Sequence, residues 1–214
     1  MINRRVLRLG AVAGVVAALG GCSLLKTPPP VQLYRFGLPT DAPSLQGDTP
    51  APLSVSIRRI EFPAASGDDR ILGVTGTETA YIGGARWVSP AETLFDDSLK
   101  AAFANRADQI RVLNRREPGT PPLVLQVTVT TFEARYPTPG ATPDVVVTAR
   151  AQLRSTPERQ GGSIRPEEGR SVERVFTVTQ PASENRVSAI VTAFDLATRD
   201  INTQIADWTI QSAR

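Results

Sequence analysis

Apolar residues recur at every second position through much of this chain, and at helical spacing in two segments. The clearest alternation opens the long strand predicted over 123–136. Leu123, Leu125, Val127 and Val129 share one parity, with Gln126, Thr128 and Thr130 on the other. A second alternation spans 144–155, where Val145, Val147, Ala149, Ala151 and Leu153 oppose Thr148, Arg150, Gln152 and Arg154. A period of two predicts a strand with one buried face. The turn residues at 137–143 predict that these two strands form an antiparallel hairpin. Shorter strands are predicted over 32–36, 53–61, 71–75, 77–82, 110–113 and 171–180. Glycines at 73, 76, 83 and 84 predict turns or bulges between the early ones.

Two helices follow from the other period. Ser89-Pro90-Ala91-Glu92 reads as a capping box, with serine as N-cap, proline at the first helical position and Glu92 at the third. That helix is predicted over 90–106, with Leu94, Phe95, Leu99, Ala102 and Phe103 as its apolar stripe. A longer helix is predicted from 183 or 184 to 211. Its stripe is Val187, Val191, Phe194, Ile201, Ile205 and Trp208, a face that calls for a sheet to cover. The polar stretches at 37–52 and 156–169 read as loops. The fold class is therefore α/β (α+β-like). One domain holds a mixed, largely antiparallel sheet packed by two main helices, the second long and C-terminal.

The first 31 residues belong to neither pattern. Arg4, Arg5 and Arg8 precede an apolar run of about 12 residues, well short of the roughly 20 that span a bilayer. The run ends at Leu19-Gly20-Gly21-Cys22, which resembles the lipobox of bacterial lipoproteins. Cys22 is the sole cysteine. The expected organisation is a signal peptide at 1–21, cleaved between Gly21 and Cys22, then a lipid-anchored Pro-rich tether at 22–31 and a domain at 32–214. Ser23 stands where the lipoprotein resemblance would place an aspartate for inner-membrane retention. The expected location is thus the outer membrane, periplasmic side, with the inner membrane as the alternative.

Charge then reads differently. The formal value of +3 includes Arg4, Arg5 and Arg8; without them 21 basic residues face 21 acidic ones. Nucleic-acid binding normally needs a basic face, and a neutral domain gives no support for one. Histidine is absent, which removes histidine-based triads and zinc sites. With Cys22 lipidated, no thiol is left as nucleophile. Asp68-Asp69, Asp96-Asp97 and Glu167-Glu168 read as solvated pairs. Neighbours on a helix point about 100° apart and do not converge on one metal. No catalytic residue, no metal site and no cofactor beyond the covalent lipid on Cys22 is expected.

Tyr34-Arg35-Phe36, Val55-Ser56-Ile57 before Pro63, and Arg70-Ile71-Leu72 occur in that order. Tyr81, Arg86-Trp87-Val88-Ser89-Pro90 and the helix carrying Trp208 follow. With the lipobox, this order resembles the ABC-type transport auxiliary lipoproteins, the PqiC-like, MCE-associated group. The resemblance implies a non-enzymatic docking or coupling subunit for lipid transport between inner and outer membranes. Its implied partners are an MCE-domain protein and the ABC permease and ATPase. Tyr81, Arg86 and Trp87, in or beside a Gly-rich loop, are the candidate partner interface, since docking surfaces favour aromatic and arginine anchors. Homo-oligomerisation is a rival use of that surface. The alternatives in function are an envelope-stabilising or peptidoglycan-associated lipoprotein, and a carboxylate-dependent glycosidase.

Overall fold

The computed structural model describes residues 30–37, 53–113, 121–156 and 169–214. By contacts the chain divides into two units, Met1–Val31 and Gln32–Arg214, and the fold below is that of the second. Among the described residues, eight strands and two helices follow in the order β1 (Gln32–Tyr34), β2 (Leu53–Ile57), β3 (Arg70–Thr75), β4 (Glu78–Trp87), α1 (Ala91–Ala104), β5 (Ile110–Val112), β6 (Leu123–Tyr136), β7 (Asp144–Ser155), β8 (Ser171–Pro181) and α2 (Val187–Ser212).

The sheet is built around β6. On one side β7 pairs with it antiparallel from Leu123↔Ser155 to Arg135↔Asp144, and β8 continues the ladder beyond β7. On the other side two strands share the edge. β2 lies parallel to its first residues (Val55↔Leu123) and β3 parallel to its last (Gly73↔Ala134). Glu61 bridges to Thr128 between them. Residues 53–75 therefore act as one strand interrupted by an excursion. β5 pairs with β2, β4 with β3, and β1 with β4. The sheet is mixed as predicted. The parallel pairings are three residues long each, and the antiparallel ladders carry most of it.

The helices pack on each other, and α2 also covers β7 and β8. Of its predicted stripe, Val191, Phe194, Ile201, Ile205 and Trp208 are buried, and Val187 is half-buried. The opposite face of β7 and β8 stays polar, with Arg150, Arg154, Glu173, Thr177 and Thr179 exposed. At the centre of the core Phe132 is ringed by Phe194 at 4.7 Å, Phe36 at 5.2 Å, Phe62 at 5.3 Å, Trp87 at 6.4 Å and Phe95 at 6.5 Å. Between Phe194 and Ile205 the buried face of α2 also carries Thr198 and Asn202. The Thr198 hydroxyl and both Asn202 amide atoms find no protein partner among the described residues. Each costs about 1–3 kcal/mol unless water reaches it.

The capping box does not form. α1 starts at Ala91 with Pro90 as N-cap, and no side chain caps it. The excursion between β2 and β3 does so instead. The Ala91 N–H donates to the Asp68 carbonyl (3.0 Å) and the Glu92 N–H to that of Gly67 (3.2 Å). The Glu92 carboxylate, freed of that task, takes the Arg59 guanidinium at 2.9 Å. Ser89→Ala should therefore cost only a few tenths of a kcal/mol, not the roughly 1 kcal/mol of a lost N-cap. Thermal or urea unfolding checks this, and a loss above about 1 kcal/mol contradicts the loop-borne cap. The second helix also differs from expectation. It begins at Val187, since Arg186 is still extended at φ −137°.

Candidate functional site

Cys22 and Gly21 lie outside the described residues, so the sites open to geometry are those of the domain. Tyr81, Arg86 and Trp87 all fall on β4, and the Gly-rich segment beside them is strand, not loop. Ladder pairs Leu72↔Tyr81 and Arg70↔Arg86 enclose one residue of β3 but four of β4. Gly83 and Gly84 sit in that bulge. Gly84 has φ +70°, a left-handed conformation that glycine adopts without penalty. The space in front of both glycines is open, so the bulged backbone is approachable.

Beyond the bulge the pleat separates the two remaining residues. Trp87 turns inward: it is 2% exposed, with Phe36 at 4.8 Å and Phe194 at 5.3 Å. Trp87 is thus a core residue and is withdrawn from the interface. Arg86 turns outward. Its Nη1 donates to both carboxylate oxygens of Asp69 at 2.9 Å. Tyr81 is 39% exposed, and the Arg70 guanidinium lies 3.8 Å from its ring centroid, a cation–π contact.

Strand pairing brings more residues to this corner than the sequence reading named. β1 lies parallel along β4 with Leu33 opposite Arg86, and Leu33 is 62% exposed. Val88 is exposed beside it, held by its N–H to the Tyr34 carbonyl at 2.8 Å. The result is an apolar edge flanked by Asp69, Arg70, Tyr81 and Arg86, with one positive charge in excess. β1 is fixed from behind through Gly37. The Gly37 N–H donates to Asp195 of α2 at 2.7 Å, and a Cβ there would meet the Ser98 Cβ at 2.6 Å.

Nothing in this corner resembles a reaction centre. Asp96 is paired with Lys100 of the next helical turn, and Asp69 with Arg86. Among the described residues no three metal-ligating side chains converge. Burial pushes the Tyr136 phenol up from its ordinary value, which keeps it neutral. An open groove of about 660 Å³ runs beside β2, lined by Arg58, Arg59, Glu61, Glu92, Phe62 and Gln126 among others. Its charges balance, and Arg59 is engaged by Glu92. Among the described residues no helix is long and apolar enough to cross a membrane.

The family model for the ABC-type transport auxiliary lipoprotein component matches residues 34–206. Among solved structures, protein XCC0632 of Xanthomonas campestris, of the DUF330 family, superposes with a TM-score of 0.62 at 21% identity. The match covers 86% of this chain and 94% of that one. A second structure, of a protein described as uncharacterized, also gives 0.62, at 15% identity over 84% of this chain and 98% of that one. Both likenesses are of fold. No curated protein matches.

Proposed function

The chain belongs to the family of ABC-type transport auxiliary lipoprotein components, and from that premise we propose that it is a docking or coupling subunit of an MCE/ABC system. In this reading Cys22 carries the lipid and holds the domain at the outer membrane on its periplasmic side. The domain engages the MCE-domain protein of a machine whose permease and ATPase sit in the inner membrane, and the cargo is lipid. It performs no catalysis of its own.

The observation that carries the docking role is the exposed corner of β1 and β4. Leu33 and Val88 form an apolar centre, and Tyr81 and Arg86 stand beside it as the aromatic and arginine anchors that interfaces favour. The surplus positive charge fits a partner with an acidic rim.

Arg86→Glu tests this cleanly, because Arg86 is half exposed and its pair with Asp69 is worth about 1 kcal/mol at most. Tm should fall by no more than roughly 2–4 °C. Co-purification of the MCE partner should drop about tenfold or more, a loss of roughly 1.4 kcal/mol or more. Full co-purification by a stably folded variant removes this corner from the interface. Failure of the wild type to capture any MCE or ABC component removes the whole functional reading.

A further inference from the structure

β8 is the outermost strand on its side of the sheet. Among the described residues it pairs with β7 alone. Its 11 residues run without a bulge, in unbroken register from Arg154↔Ser171 to Asp144↔Pro181. Two bonds fix which way its backbone points. The Arg170 carbonyl accepts from the Ser155 N–H at 2.9 Å, and the Ala182 N–H donates to the Pro143 carbonyl at 3.0 Å. Even-numbered residues therefore aim their N–H and C=O groups at β7, and odd-numbered ones aim theirs away from it. The outward set is Ser171, Glu173, Val175, Thr177 and Thr179. Pro181, which has no N–H, ends it where an edge strand tolerates proline. A long unbroken edge of this kind is a template for another strand.

We propose that a second copy of this chain fills the edge, β8 against β8, antiparallel about a two-fold axis through Val175. The side-chain order selects this occupant and this register. With the axis at Val175, Ser171 faces Thr179 and Glu173 faces Thr177 on the polar face. On the helix-covered face Val172 faces Val178 and Arg174 faces Phe176. Arg174 already lies over the Phe176 ring of its own chain at 5.1 Å, and across the axis it meets a second ring. The two Val175 side chains, 60% exposed in the single chain, cover each other. Axes at 173 or 174 set Glu173 on Glu173 or Arg174 on Arg174, and like charges directly opposite repel. Axes at 176 or 177 draw Pro181 into the ladder and lose its bond. Only the axis at Val175 pairs all five outward positions without a like-charge contact. Both sheets then merge into one, with the helices of the two copies on the same face. The interface is isologous and closes on itself.

Cysteine placement tests the register, since Cys22 is the only native cysteine. Residues at a hydrogen-bonded antiparallel position have Cα atoms about 5.5 Å apart, inside the range a disulfide accepts. Full-length Val175→Cys, oxidised and run on a non-reducing gel, should give a dimer that reductant collapses. Thr179→Cys is exposed on the same face but lies about 27 Å from its own mate in this register. It should stay monomeric, and so should the wild type. Ser171→Cys with Thr179→Cys should restore the dimer. Absence of a Val175→Cys dimer, or equal cross-linking of Thr179→Cys alone, overturns the proposal. Neither outcome bears on the β1–β4 corner, which lies across the sheet from β8.

Discussion

Phe132→Ala lowers the stability of the domain by about 3–5 kcal/mol, the range for deleting a fully packed aromatic ring. Phe132 is 2% exposed. It is the one ring that meets Phe36 from the segment after β1, Phe62 from the excursion, Phe95 from α1, Phe194 from α2 and Trp87 from β4. Its loss opens a cavity that these elements cannot all collapse into. For a domain of this size, Tm should fall by roughly 10 °C or more. Trp87→Ala should behave alike, because it removes a neighbour from the same cluster. Denaturant unfolding followed by circular dichroism reads both. A loss under about 1 kcal/mol for Phe132→Ala would mean that the cluster does not hold the elements together.

Cys22→Ser is the second large effect, and it rests on the lipobox reading. Lipobox signals are cut only after the thiol is modified. The variant should therefore accumulate as an unlabelled, uncleaved precursor, and the mature lipid-anchored form should vanish. Two or more acyl chains bind a bilayer stably, at about 0.8 kcal/mol per buried methylene. A clickable fatty acid reads the modification and a membrane pellet reads the anchoring. Equal label in the variant removes the lipoprotein anchor.

The two long strands of the hairpin are legible to the residue: 123–136 and 144–155 are the bounds of β6 and β7, although the buried parity of β6 passes from odd to even positions at a register shift between Val129 and Thr131, which turns Phe132 and Ala134 inward. An interior packed on one face and water on the other writes that period directly. β4 was harder to read. Gly83-Gly84 looks like a turn in sequence, but here it is a bulge inside a strand that runs on to Trp87. The cap of α1 was misplaced for a related reason. Ser89 and Glu92 have the right spacing, yet carbonyls of Gly67 and Asp68 arrive first, through packing that local spacing does not encode.

The candidate site was half legible. Arg86 and Tyr81 stand at the surface as expected of anchors. Trp87 does not, because neighbouring residues on a strand face opposite ways, and only the packing decides which is inside. Leu33 and Val88 carry no signal of their own in the sequence. They join the corner because β1 crosses back to lie along β4. The polar pair Thr198 and Asn202 was missed too, since apolar residues on either side of it continue the stripe.

The interrupted strand along β6 has a consequence for the order in which the chain can fold. β2 and β3 each have one of their two partners, β6, about 60–70 positions downstream, and contacts of such long separation close slowly. Among the described residues, a chain emerging from its N-terminus finds, before residue 123, only β4 for β1 and β3 and only β5 for β2. Until β6 arrives the two fragments share no strand among the described residues, and contacts such as Phe62 on Phe95 and Phe36 on Trp87 lack the Phe132 ring that joins them. During vectorial emergence the two fragments therefore become one sheet only when a single strand, β6, arrives.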